Sequence, residues 1–321
     1  MIHRSIWLWA MLLGSFACAQ GTVTAEIDTL FNYEFESLKN KHQKKILIDQ
    51  GHNTIYSVPS GKTTAREMFR IMETDGFHIQ FTDQRLDSAQ LSETVPDLLI
   101  LHGMPNNKTI LKNKGTEEVL YTSPLENIEV ESIAKYVNNG GSLLLFLSHF
   151  PGGSGALPLL EAFSVKFRDG YAYHNQYHTT KKKGICGHFT MNVANGMLNL
   201  NHPVFTSSID KKTMPASVRF YCGAAVFRNP EDEILPFPNN TVNYTKATTS
   251  KFRMEEASDD YAGMIGFQYG NGRVIICTDQ GIFRSLDLFI DDEKIAVTIH
   301  DTETDNAGLL VNVLRWLTKL Q

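Results

Sequence analysis

The sequence predicts an α/β protein with a mostly parallel central sheet covered by helices on both faces. Three observations carry that prediction. Short, nearly unbroken apolar runs recur as "KILID" (45–49), "DLLILH" (97–102) and "SLLLFL" (142–147). Segments with apolar residues at helical spacing fall between them. Gly270-Asn271-Gly272 separates two further apolar runs, the signature of a hairpin. Strands that lose the polar–apolar alternation are those buried on both sides, which happens when helices cover each face of a parallel sheet.

The elements follow in order. Residues 25–45 read as a charged lead-in helix. The first strand is 45–49. A helix over 63–75 places Ala65, Met68, Phe69, Ile71 and Met72 on one side and stops at Gly76. The second strand is 77–82, and the third, 97–102, follows Pro96. A helix over 128–137 ends at Asn138-Asn139-Gly140-Gly141, a glycine stop. The fourth strand is 142–147, followed by a glycine turn and a helix from about 156 to 163. Between about 164 and 260 the alternation fails in a stretch rich in Thr, Asn, Pro and Lys, an irregular, partly β insertion at the rim of the sheet. Residues 264–269 and 273–278 form the hairpin, and 307–320 the closing amphipathic helix.

The chain has 321 residues, room for one large domain or two modest ones, and its 42% hydrophobic content suffices for a substantial core. A net charge of −5 offers no basic face for a nucleic acid. The run Lys181 to Lys183 is local and reads as a solvated loop.

At the N-terminus, His3 and Arg4 precede an apolar run over 6–13, and Ala17-Cys18-Ala19 supplies small residues at a cleavage spacing. That is the pattern of a signal peptide over 1–19. It leads to the expectation of a periplasmic or secreted protein, with lipid attachment at Cys18 as the alternative. Residues 20–44 then form the lead-in and 45–321 the domain. No other segment is long and apolar enough to cross a membrane. Of the four cysteines, Cys277 lies in an apolar strand, and Cys186 and Cys222 could pair in an oxidising compartment.

In an open parallel sheet, ligands bind beyond the carboxyl ends of the strands. The first strand delivers Asp49, His52 and Asn53 there, the third His102, the fourth Ser148 and His149, and the hairpin strand Asp279 and Gln280. The leading reading is a small polar ligand, a glycan among the candidates, held by His52, His149 and Asp279. The rival is a hydrolase using His149 as base or a bound metal, and a third reading is a non-catalytic component of an envelope assembly. Adjacent strand residues point to opposite faces, so Ser148 and His149 are not mutual partners, and Ser148 reads as a strand end. The glycine turn 152–155 could present backbone N–H groups to an anion or hydroxyl. His174 and His178 lie four apart in a stretch unsuited to a helix. The histidines form no compact ligand motif, so no metal and no cofactor are assigned. Ser60-Gly61-Lys62-Thr63 looks like the end of a phosphate-binding loop, but the required leading glycine is Tyr56.

Five segments carry a family resemblance: "IDQGHNTIY", "YVNNGGSLLLFLSHFPGGSGALPLLEAFSVKFRDGYAY", "NHPVF", "GNGRVIICTDQGIF" and "DNAGLLVNVLRWL". Through them the chain resembles the class I glutamine amidotransferase-like superfamily, and within it a family of exported bacterial proteins. It is also similar to the trehalose-utilisation-type domains. The resemblance implies a flavodoxin-like three-layer sandwich. It does not imply amidotransferase chemistry, because those enzymes place a cysteine at the elbow where this chain has Ser148-His149. The narrower family has an acidic residue before the histidine, and Ser148 stands there instead.

Overall fold

The computed structural model describes residues 24–26, 31–54, 65–113, 116–147, 149, 152–179, 188–221, 223–246, 252–256, 261–290 and 293–320. Nine strands form the central sheet: β1 (Lys45–Asp49), β2 (His78–Thr82), β3 (Leu98–His102), β4 (Ser142–Phe146), β5 (Lys166–Arg168), β6 (Ala225–Phe227), β7 (Glu233–Pro236), β8 (Ala262–Tyr269) and β9 (Gly272–Cys277). Their order is β2-β1-β3-β4-β9-β8-β6-β5, with β7 also paired to β8. The pairs β1–β2, β1–β3, β3–β4 and β4–β9 are parallel. That half has the flavodoxin-like order, in which successive strands are added to one side of β1 and then, from β3 on, to the other. From β9 through β8, β6 and β5 the pairing is antiparallel.

Alternate residues of the parallel strands sort into two cores, which makes the molecule a three-layer sandwich. Ile46, Ile48, Ile100, Leu144, Phe146 and Ile275 pack against α1 (Arg66–Asp75) and α6 (Asn306–Leu317). Leu47, Leu99, Leu101, Leu143, Leu145 and Ile276 pack against α2 (Ser88–Thr94), α3 (Asn127–Asn138) and α4 (Leu157–Ala162). The remaining helix, α5, is the single turn Pro203–Thr206. Fully burying each such aliphatic side chain stabilises the fold by about 1.5–3 kcal/mol.

Local signals explain the ends of these elements. Gly76 takes φ 100° and its N–H caps α1 on the carbonyls of Met72 and Glu73, a conformation that suits glycine. Glu126 and Glu129 form a capping box at the start of α3. Helices α1 and α6 are clasped by Arg315, whose Nε and Nη2 donate to Asp75 Oδ2 and Oδ1 at 2.9 and 2.8 Å.

Two sequence expectations need correction. The lead-in is not a helix: residues 24–26 form a strand beside Ser285–Ile290, and 31–43 are without regular structure apart from one turn. Phe31, Tyr33 and Phe35 alternate with exposed Asn32, Glu34 and Glu36 and pack onto the core, a period of two proper to extended chain. The insertion is not confined to the rim, since it supplies β5, β6 and β7 to the central sheet. Its other described strands form two small sheets, 178–179 with 188–192 and 217–221, and 171–173 with 242–246 and 252–256.

Candidate functional site

Because β1, β3, β4 and β9 run parallel, Asp49, His102, His149 and Asp279 all emerge at one edge of the sheet. Ser148 lies outside the described residues, as do Cys18, Cys186, Cys222 and the segment 60–63. The residues at the edge divide into three groups.

The first surrounds the β1/β3 switch in strand order. His52 donates from Nδ1 to Asp49 Oδ1 and from Nε2 to Glu129 Oε1, each at 2.9 Å. Asp49 and Glu129 are themselves buried, and His52 is 8% exposed. Burial disfavours the imidazolium, but the two carboxylates outweigh it and the His52 pKa is raised. Asp49 also accepts the backbone N–H of Gly51 and His52, and Glu129 that of Leu86 and Glu126. His52 thus ties the β1 loop to α3, with both ring nitrogens engaged. Asn53 is exposed and donates to the Pro105 carbonyl and to Asn107.

The second group lies beyond β9. Asp279 is 4% exposed and accepts from the N–H of Tyr221 at 2.5 Å and of Gly281 at 2.7 Å. Burial pushes its carboxyl up to about 7, against the opposing pull of those two N–H groups and of Arg284. His102 donates from Nε2 to the Gln280 carbonyl at 2.8 Å and packs on Phe146. Burial holds it down at about 4, so it is a neutral imidazole at pH 7. Burial does the same to His188, which stacks on Tyr221.

The third group joins the end of β4 to β5. The turn Gly153–Ala156 is a short 3-10 helix whose Gly152 N–H bonds back to the His149 carbonyl. Gly155 lies so close to the Met104 carbonyl that a Cβ there would sit 2.2 Å from it, which pins the β3 loop against the turn. The half-buried ring of His149 stacks on Tyr171, with centroids 4.3 Å apart. Ser154 Oγ accepts from Asn106 Nδ2 at 2.5 Å, and its hydroxyl bonds the Asp169 carboxylate. Burial raises Asp169 to about 6, with that Ser154 bond opposing the shift. Asp169 Oδ1 and Asn243 Oδ1 are shut from solvent and have no hydrogen-bond partner among the described residues. Asn243 is 1% exposed, and its Nδ2 donates to the Asp169 carbonyl.

The edge therefore gathers the strand ends, but it buries two of the three residues expected to hold a ligand. Of His52, His149 and Asp279, His149 alone is half-exposed. The sequence reading does not single out Glu129, Asp169 or Asn243, and it takes Ser154 only as part of the 152–155 turn. Ser154 had a signal in the "GGSG" turn and Asp169 in "RDGYAY", whereas Asn243 reaches the site only through tertiary pairing of its strand with 171–173. His174 bonds the Asn239 carbonyl and His178 begins a short strand, so the two share no helix. Among the described residues, no three of His, Cys, Asp or Glu gather as metal ligands.

No family model matches the chain, and no curated protein sequence is similar to it. The chain is similar in fold to solved ThuA-like proteins. One, from Bacteroides uniformis ATCC 8492, shares 16% identity over 90% of this chain and 95% of its own, with a TM-score of 0.41. Another, from Parabacteroides merdae ATCC 43184, shares 13% over 87% and 91%, with a TM-score of 0.42. A cytoplasmic protein of Salmonella typhimurium shares 15% over 85% of this chain and 98% of its own, with a TM-score of 0.40. These likenesses concern chain path, and no site residue is carried over from them.

The expectation of a periplasmic or secreted protein runs against the comparison, in which a similar structure is of a protein named as cytoplasmic, a name that belongs to that protein alone. The segment that suggested export, 1–19, lies outside the described residues. Among the described residues no helix is long and apolar enough to cross a membrane.

Proposed function

We propose that the protein binds a small hydroxyl-rich molecule, a carbohydrate, at the carboxyl edge where Ser154, Asp169, Asn243, His149 and Tyr171 meet. One observation carries this reading: two buried acceptor oxygens, Asp169 Oδ1 and Asn243 Oδ1, stand beside each other's residues without a donor. Leaving a buried acceptor unmet costs about 1–3 kcal/mol, and a ligand hydroxyl supplies the missing donor. The His149–Tyr171 stack adds a half-exposed aromatic surface for the apolar face of a sugar ring. His52 and Asp279 act in this reading as supports that hold the β1 and β9 loops in place.

The test is calorimetric titration of the full chain with a panel of mono- and oligosaccharides, repeated on Asn243→Ala and Asp169→Ala. A bound sugar that weakens at least tenfold in both variants supports the site. Failure of every sugar to bind, or unchanged affinity in both variants, overturns it.

A second reading uses the same carboxyl as a proton donor, because Asp169 titrates near 6 beside a hydroxyl. Glycoside hydrolysis of this kind requires a second carboxylate across the bond. Release of reducing sugar from the bound oligosaccharide, lost in Asp169→Ala, would favour it over binding alone.

A further inference from the structure

At the opposite, amino-terminal edge of the sheet lies a separate cavity of about 480 Å³, among whose lining residues are Asn201, His202, Glu231, Gln268, Arg273 and Trp316. Arg273 is the second residue of β9 and pairs with Ser142 at the start of β4, whereas Asp279 follows the end of β9. At about 3.3 Å per residue, the length of that strand, roughly 20 Å, separates this cavity from the carboxyl edge. The volume lies within the range of about 300–1,000 Å³ usual for small-molecule sites.

Two charges in the cavity are left over. The Arg273 guanidinium lies over the Trp316 ring, 5.0 Å from its centroid, and donates from Nη1 to the Trp316 carbonyl. No carboxylate among the described residues pairs with it, so most of its five N–H donors are free for a ligand. On the acidic side, Asp232 is spoken for by Arg228 at 2.8 Å and Asn229 at 3.1 Å. Its neighbour Glu231 is exposed and has no cationic partner among the described residues. The lining also holds neutral amides: Asn201, exposed, and Gln268, exposed and bonded through Nε2 to the Gly270 carbonyl. The aromatic faces are covered, Trp316 by Arg273 and Phe267 by Arg228, so ring stacking is not what the cavity offers.

From this we infer that the cavity binds a small zwitterion, an amino acid or short peptide with free ends, its carboxylate on Arg273 and its ammonium on Glu231. A guanidinium fork matches a carboxylate in two parallel hydrogen bonds, which an anchored, pre-oriented arginine favours. An opposite charge across the same hollow selects against simple anions and simple cations alike. The amides of Asn201 and Gln268 suit the peptide groups of a ligand that spans the two charges.

The experiment titrates the full chain by calorimetry with glycine, β-alanine, γ-aminobutyrate, diglycine and triglycine, a ladder of charge separations. At least one member binds, its acetylated and amidated counterpart binds at least tenfold more weakly, and Glu231→Gln weakens it by a similar factor. Glu231 is on the surface, so that variant leaves folding intact. Arg273→Lys, which keeps the charge but loses the fork, also weakens binding. Asp169→Ala leaves the zwitterion affinity unchanged, which separates this site from the carboxyl-edge reading. Absence of binding by every member at millimolar concentration overturns the inference, as does equal affinity for the capped form.

Discussion

His52 Nε2 lies 2.9 Å from Oε1 of Glu129, a residue 77 positions further along the chain. With Asp49 on its other nitrogen, the imidazole lies between two buried carboxylates that favour its cationic form.

Its raised pKa fixes the sign of a pH effect. A histidine favoured as a cation in the folded state contributes stability fully below its unfolded value of about 6.5, and that contribution is lost as pH rises through the raised folded value. The thermal stability of the wild type relative to His52→Gln therefore shrinks between pH 6 and pH 9. A difference that stays flat across that range contradicts the assignment.

Asp169 behaves in the opposite sense. Its folded value of about 6 exceeds the unfolded value of about 3.9, so the folded state holds the proton more tightly and loses stability as pH rises from about 4 to 6. Asp169→Asn removes that loss. Relative to wild type, the variant gains stability between pH 4 and pH 7 in chemical denaturation. If the substitution shifts both ends equally, Asp169 is not the titrating group.

Arg315 and Asp75 form a buried bidentate pair, 3% and 1% exposed at the side chain. Breaking one partner strands the other, so Asp75→Asn and Arg315→Met each cost about 3–5 kcal/mol. The double variant Asp75→Asn with Arg315→Met costs less than the two added together. Strict additivity in urea denaturation would show that the pair is not coupled.

Phe220 occupies a slot made by two glycines. A Cβ on Gly223 would sit 2.2 Å from its ring and one on Gly263 2.5 Å. Phe220→Ala opens a cavity and costs about 3–5 kcal/mol. Gly263→Ala is destabilising alone and less so in a Phe220→Leu background, a coupling that a double-mutant cycle measures.

The layered fold was legible because its strands announce themselves. The runs at 45–49, 97–102 and 142–147 correspond to β1, β3 and β4 within a residue at either end, and Gly270-Asn271-Gly272 marks the β8–β9 turn. The lead-in was misread because its charges masked the alternation of Phe31, Tyr33 and Phe35. The hairpin Asn107–Asn113 with Thr116–Thr122 gave no usable signal, since its apolar residues Ile110, Leu111, Val119 and Leu120 are exposed and fall on both faces. The strand-end rule found the edge, but it does not say which of the arriving side chains stay available to a ligand. It counts which residues arrive there, while hydrogen bonds decide which are used up, as with Glu129 on His52 and Tyr221 on Asp279.

The pairing of β4 with β9 joins chain positions 142 and 273. On the ribosome, therefore, the side of β4 that carries its unmet N–H and C=O groups must wait until the chain has been made as far as position 273 before β9 covers it. Until then the nascent sheet ends in the run Leu143-Leu144-Leu145, an open edge of the kind that invites association with another chain. Maturation is accordingly most vulnerable in the interval between the synthesis of β4 and that of β9, when a holding chaperone has the most to protect.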